Sequence, residues 1–149
     1  MEPIDWSNLS FGYIKTDYNV RCYFKNDAWG DIETSQSEYI NLHMAATSLH
    51  YGQEAFEGLK AFRGKDGKIR IFRLEENAAR LQSTCRGILM PEFPTEIFRE
   101  AVIEVVKLNG RLVPPSDNVA SLDTPQLAVG HLLTGLDITI LRYTLRSFL

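Results

Sequence analysis

The chain has 149 residues, of which 44% are hydrophobic and 23% charged, and its formal net charge is -3 at pH 7. This length and composition fit one globular domain with its own core. The negative charge argues against nucleic-acid binding, and no apolar run reaches the ~20 residues that a membrane-spanning helix needs. Residues 1–6 lack the basic and apolar regions of a signal peptide, so we expect a cytoplasmic protein.

The first part of the chain is patterned as strands. Residues 20–24 predict a strand, Asn26-Asp27 a turn, and residues 29–33 a partner strand that returns along the first. Residues 59–63 and 69–71 alternate in the same way around an Asp66-Gly67 turn, which predicts a β-hairpin.

Two helices are predicted after the hairpin. The first carries an apolar stripe at helical spacing, and Glu75 and Glu76 fall in its first turn, where they complement the helix dipole. The second spans about residues 95–109 and ends at Asn109-Gly110. The members of the two stripes are Leu74, Ala78, Leu81, Cys85 and Ile88, and then Ile97, Phe98, Ala101, Val102, Val105 and Val106. Strands followed by helices predict an α+β fold with helices packed on an antiparallel sheet.

The cysteines and histidines give no metal signal. Cys22 and Cys85 lack the spacing of a metal site, and we expect two buried thiols in a reducing compartment. His50 is expected to be structural, because no second ligand stands at a suitable spacing, and His43 and His131 give nothing stronger. Phosphate-binding and dinucleotide-binding loops are also absent from the sequence.

The most informative segment is residues 48–62, Ser-Leu-His-Tyr-Gly-Gln-Glu-Ala-Phe-Glu-Gly-Leu-Lys-Ala-Phe. Core packing alone explains its mixture of glycines, aromatics and carboxylates poorly. The segment resembles the small-domain signature of the branched-chain amino-acid aminotransferases, which are fold type IV pyridoxal-phosphate enzymes, and the resemblance runs from roughly Asp5 to Pro115. It implies the small N-terminal domain of that fold over residues 1–115.

The resemblance also implies site residues. Arg80, in Asn-Ala-Ala-Arg-Leu, matches the arginine that binds the cofactor phosphate, and a guanidinium suits that role. The alternative is a surface ion pair with Glu76, its i−4 neighbour. Tyr51, Phe56 and Gly58 match the substrate-binding positions, although both aromatics could be ordinary core residues.

Two further residues of the segment, Glu57 and Lys60, are typical of the family, but a solvated ion pair explains them as well. The resemblance assigns no metal site to the chain. It assigns no catalytic residue either, because the family's cofactor-binding lysine lies in a second domain.

Residues 116–149 differ in character from residues 1–115. The family continues with an aromatic residue and an arginine before a proline, whereas this chain reads Asp123-Thr124-Pro125. One hypothesis is a shift of reading frame, since one choice of codons for Asp123 to Leu127, GAT-ACG-CCC-CAA-CTT, encodes Ile-Arg-Pro-Asn-Leu when it is read one base later. The alternative is a divergent but intact small protein.

The implied function is amino-group transfer between Leu, Ile or Val and 2-oxoglutarate with pyridoxal 5'-phosphate, in enzymes that are usually homodimers. Because the lysine is not among these residues, we expect this chain to be an incomplete and inactive fragment of such an enzyme. The alternative is a non-catalytic fragment that acts as a binding or interaction module, with Tyr51 and Phe56 on an exposed apolar face.

Overall fold

The computed structural model describes residues 15–114 and the backbone of residues 127–134 and 137–143. In the described chain the strands are β1 (Asn19–Lys25), β2 (Ala28–Trp29), β3 (Glu33–Ser35), β4 (Glu54–Arg63), β5 (Ile69–Ile71), β6 (Leu127–Thr134) and β7 (Asp137–Tyr143). The helices are α1 (Thr47–Tyr51), α2 (Leu74–Gly87) and α3 (Thr95–Leu108), and a 3-10 turn follows at Gly110–Leu112. The predicted N-terminal segment 1–6 and the Asp123-Thr124 departure lie outside the described residues.

The strands form one antiparallel sheet in the order β2-β1-β7-β6-β4-β5, with β3 also paired to β1. The hairpin of β6 and β7 separates β1 from β4. Helix α2 packs on β4, α3 packs on β1, and the two helices contact each other. The predicted α+β architecture, with helices on an antiparallel sheet, is confirmed. The division of the chain into residues 1–115 and 116–149 stays a prediction.

The core lies between the helices and one face of the sheet. Both predicted stripes turn inward, since most of their members are buried and the rest pack against the core as partly buried residues. Cys22 and Cys85 are both buried and unpaired by disulfide, as predicted. From the sheet, alternate residues of β4 join this core: Ala55, Leu59 and Ala61.

The first hairpin is tighter and less regular than predicted. Asn26 and Asp27 both take positive φ values, 53° and 59°, as a two-residue turn between strands requires. Phe24 faces Trp29, but Arg21 faces Glu33, so the returning chain has one residue more than β1 between these pairs. The continuous partner strand predicted over residues 29–33 is therefore wrong, because this bulge divides it into β2 and β3.

The second hairpin is confirmed. Ala61, Phe62 and Arg63 of β4 face Ile71, Arg70 and Ile69 of β5. However, β4 begins at Glu54, five residues before the predicted start at Leu59. In the part of the chain that the structure describes, no helix is long and apolar enough to cross a membrane.

Candidate functional site

The signature segment forms a short helix, a tight turn and the start of a strand. Helix α1 ends at Tyr51, and Gly52 follows with φ +63°. Glycine takes this left-handed conformation without the steric penalty that a Cβ atom brings. The chain then enters β4 at Glu54, and the turn leaves the Tyr51 side chain 86% exposed.

Side chains of β4 alternate between two environments, as the pleat of a strand requires. Phe56 is 51% exposed, whereas Glu57 is buried on the face that meets α2. A Cβ atom at Gly58 would lie 3.5 Å from Cε1 of Phe56, which places Gly58 on the Phe56 side. Tyr51 and Phe56 are exposed, so the alternative that they are ordinary core aromatics is wrong.

Arg80 pairs with Glu57 across the boundary between α2 and β4. Its Nε donates a 2.8 Å hydrogen bond to Oε2 of Glu57, and its Nη2 donates to Oε1 of the same carboxylate. The alternative ion pair with Glu76 is wrong, because Glu76 pairs with Arg73 in the first turn of α2. A solvated pair of Glu57 with Lys60 is wrong as well, because the Glu57 side chain is buried and bonded from the helix side.

The pair is asymmetric in its exposure to solvent. The Glu57 side chain is only 4% exposed, whereas the Arg80 side chain is 65% exposed. The carboxylate therefore lies on the inner side and the guanidinium faces outward. The hydrogen bonds and negative charge of Glu57 raise the pKa of Arg80 above its already high ordinary value, so this side chain stays cationic at every physiological pH.

Asn77 completes the arrangement from one turn earlier in α2. Its side chain is buried, and its Nδ2 donates to Oε1 of Glu57 at 2.7 Å and to the Gly58 carbonyl oxygen at 2.9 Å. Asn77 therefore connects the Arg80–Glu57 pair to the backbone of the predicted substrate-binding residue Gly58. Sequence reasoning assigned no role to Asn77. The signal was a polar residue beside Ala78 on the buried side of a helix, three positions before Arg80.

The structure thus joins two of the four predicted site residues in one network. Arg80 and Gly58 are linked through Glu57 and Asn77, while the side chain of Phe56 lies on the opposite face of β4 from Glu57. Tyr51 lies before the strand, at the end of α1. Among the described residues, no group of His, Cys, Asp and Glu could hold a metal ion. His50 bonds the Met44 carbonyl oxygen at 2.7 Å, in agreement with a structural role, and the His131 side chain lies outside the described part.

The Arg80–Glu57 pair can accommodate an oxoanion such as a phosphate. A guanidinium has five N–H donors. In Arg80, Glu57 bonds the edge formed by Nε and Nη2. Nη1 is not part of the contact with Glu57, and on a side chain that is 65% exposed the edge formed by Nη1 and Nη2 has the geometry for bidentate contact with a second oxoanion. The donor set therefore fits a phosphate group, bound from solvent.

Comparison with known proteins gives relatives along most of the chain. It is 43% identical over 130 residues to a branched-chain-amino-acid aminotransferase of Haemophilus influenzae, which covers 87% of this chain and 38% of that protein. The Helicobacter pylori enzyme of the same name is 42% identical with the same coverage. The chain thus spans about two fifths of the length of these relatives. No protein-family model matches the sequence.

Solved structures show the same fold. The branched-chain amino acid aminotransferase of Escherichia coli superposes with a TM-score of 0.65 at 19% identity, covering 91% of this chain and 42% of that one. The enzyme from Thermobaculum terrenum, solved in its PLP form, has a TM-score of 0.61 at 19% identity, covering 89% and 41%. At this identity the likeness concerns the fold, which is that of one part of each enzyme.

Proposed function

We propose that this chain, which belongs to the branched-chain-amino-acid aminotransferase family, forms the smaller part of a transaminase. It would supply one side of the site for cofactor and substrate. The reaction would move an amino group between Leu, Ile or Val and 2-oxoglutarate, in a cytoplasmic enzyme of amino-acid biosynthesis. The observation that carries this proposal is the outward-facing Arg80 guanidinium held by buried Glu57, in a chain 43% identical to such an enzyme.

The cofactor would be pyridoxal 5'-phosphate, with Arg80 holding its phosphate. When bound, this cofactor supplies an electron sink for chemistry at the amino-acid α-carbon. The charge of Arg80, the solvent exposure of its side chain and its planar donor geometry all support this role. A relative with the same fold was solved in its PLP form.

The substrate side would be formed by Tyr51, Phe56 and Gly58. Exposed aromatic side chains suit an apolar wall for a branched aliphatic substrate once another surface covers them. We propose that this cover, and the lysine that binds the cofactor covalently, come from sequence outside these 149 residues, in a homodimeric enzyme. The 149-residue polypeptide alone is then expected to show no transamination.

The phosphate role of Arg80 can be tested by ligand binding. Pyridoxamine 5'-phosphate, which cannot react with stray lysines, is titrated calorimetrically into the full chain beside pyridoxamine, which lacks the phosphate. Arg80→Ala is expected to remove the preference for the phosphorylated ligand, a loss of about tenfold or more for a charge-assisted contact.

Arg86→Ala is the matched control for this experiment. Arg86 is an exposed arginine of the same helix and pairs with Glu92, so this variant loses the same charge and should keep the preference. An unchanged preference in Arg80→Ala, or none in the unsubstituted chain, would show that Arg80 does not hold the phosphate.

The second candidate function, a non-catalytic binding module, draws on the exposure of large apolar side chains around α1. These are Tyr39, Met44, Leu49 and Tyr51. Exposed apolar groups at this density are typical of surfaces that contact another protein. Sedimentation at increasing concentration discriminates here, because a monomer at all concentrations would speak against a face that associates with itself.

A further inference from the structure

We infer that Glu57 and Asn77 are positioning residues for anion binding at Arg80, which they hold in one orientation against β4. This inference rests on the proposed function, since it takes Arg80 as the group that contacts the cofactor phosphate. Neither residue is among the site residues that the sequence predicted. Glu57 contacts the inner side of the guanidinium and Asn77 contacts Glu57, so neither residue is proposed to bond the anion itself.

The contacts fix the direction of the guanidinium. Arg80 donates one hydrogen bond from Nε to Oε2 of Glu57 and another from Nη2 to Oε1, so two parallel bonds define the plane of the group. An exposed arginine side chain otherwise samples many rotamers, and a ligand that binds it must restrict them. Glu57 imposes this restriction before any anion arrives.

Asn77 fixes the carboxylate in turn. One amide nitrogen bridges Oε1 of Glu57 and the Gly58 carbonyl oxygen. The Glu57 carboxylate is therefore held in its orientation by a residue of α2 that is itself bonded to the backbone of β4. The two bonds of Asn77 and the Arg80–Glu57 pair join α2 to β4 at this point, so they oppose displacement of the helix along the strand and hold Arg80 in place relative to the substrate side of the site.

The two effects of Glu57 on an anion have opposite signs, and this makes the inference testable. Its negative charge lies beside the guanidinium and would repel an anion bound to the other edge, which weakens binding. Its hydrogen bonds orient Arg80, which strengthens binding. If orientation dominates, removal of the charge and its bonds weakens anion binding; if charge dominates, the same change tightens it.

The experiment measures the affinity of the full chain for pyridoxamine 5'-phosphate and for pyridoxamine in four variants. We expect Glu57→Gln to lower the preference for the phosphorylated ligand by about fivefold or more, and Glu57→Asp, which keeps the charge but shortens the reach, to lower it as well. Asn77→Ala, which changes no charge, should lower it by about two- to fivefold. Glu54→Gln removes the same charge from an exposed position of β4 and should change it less than twofold.

A second measurement needs no ligand. The Nε–H resonance of Arg80 is expected to be protected from solvent exchange in the unsubstituted chain, and to lose this protection in Glu57→Gln and Glu57→Asp. Variants are compared under conditions where circular dichroism shows each of them folded. A purely structural role for Glu57 would lower stability without changing the ratio of the two affinities.

The outcomes separate this inference from the proposed function. If Arg80→Ala leaves the preference for phosphate unchanged, or if there is none to lose, both fail. If Arg80→Ala removes the preference while Glu57→Gln retains or increases it, the positioning role alone is overturned. Unchanged exchange of the Arg80 Nε–H in Glu57→Gln would overturn it too.

Discussion

Cys22 and Cys85 show how burial controls the chemistry of a single side chain. Burial is the main cause that raises the pKa of each thiol above its ordinary value of 9.0, and the charges of Asp31 and Glu33 add to the effect at Cys22. The Cys22 thiol also donates a 3.1 Å hydrogen bond to the Gly30 carbonyl oxygen at the bulge after β2. Because the thiolate is the reactive form, both residues should be chemically inert in the folded chain.

We predict a measurable pH dependence from these thiols. The folded chain holds the two protons more tightly than the unfolded chain, so stability is fully present below the ordinary thiol pKa and falls as pH rises through and above it. Urea unfolding between pH 7 and pH 10 should show this decrease, and Cys22→Ala with Cys85→Ala should reduce its slope. Rapid reaction of the folded chain with a disulfide reagent at pH 8 would contradict the prediction.

Glu57 marks the limit of sequence reasoning for single residues. A charged residue at an inward position of β4 interrupts the apolar alternation, so the pattern predicts a strand only from Leu59 onward. The partner that permits its burial, Arg80, lies 23 positions away, and a buried carboxylate requires such a partner. A local sequence pattern shows only the polarity of each side chain, whereas the burial of Glu57 depends on its tertiary contact with Arg80.

At the scale of elements, local chemistry specified the helices and hairpins well. The stripes of α2 and α3 have the helical period, and the β4–β5 hairpin is encoded by its turn. In that turn, Gly67 has φ +77°, and Asp66 accepts hydrogen bonds from Arg70, which lowers the pKa of Asp66 to about 2. The bulge between β2 and β3 could not be predicted, because alternation alone does not reveal where one strand has an extra residue relative to its partner.

The hairpin turn gives a test at this scale. Gly67→Ala should destabilise the chain by about 1–2 kcal/mol, because an L side chain is strained at positive φ. Gly87→Ala is the control: it adds a methyl group at the last residue of α2, where a Cβ meets no atom within 4 Å, and should be neutral or stabilising by up to ~1 kcal/mol. Urea midpoints measure both, and equal effects would refute the role of the Gly67 conformation.

At the scale of the whole molecule, chain order and spatial order differ. Strands β6 and β7 come last in the described sequence but occupy the middle of the sheet, between β1 and β4. Ile138 and Ile140 alternate with polar residues in the sequence, which indicates a strand in this region but does not indicate its neighbours. Their pairing with β1 and β4 joins segments far apart in the chain, such as Val20 with Ile140 and Ala61 with Leu127, and it depends on the complete tertiary arrangement, which local patterns do not encode.

Asn109 joins distant parts of the molecule in a way that the sequence also left unassigned. It was predicted as a helix stop, and it does follow the last residue of α3. Its amide is also buried: Oδ1 accepts from the backbone N–H groups of Asp17 and Tyr18 at 3.0 and 3.1 Å, and Nδ2 donates to the carbonyl oxygens of Tyr18 and Val105 at 2.9 and 2.8 Å. One side chain thus connects the end of α3 to the chain that enters β1.

We predict that Asn109→Ala destabilises the fold by about 2–4 kcal/mol, because it leaves backbone donors and an acceptor near β1 without their partners. Urea unfolding followed by tryptophan fluorescence measures the loss. Asn41→Ala, at an exposed asparagine outside regular elements, should change stability by less than about 0.5 kcal/mol. Hydrogen exchange should also accelerate at the start of β1, more than 80 residues away in sequence. If instead only the last turn of α3 loses protection, Asn109 is a local helix stop and does not connect α3 to the sheet.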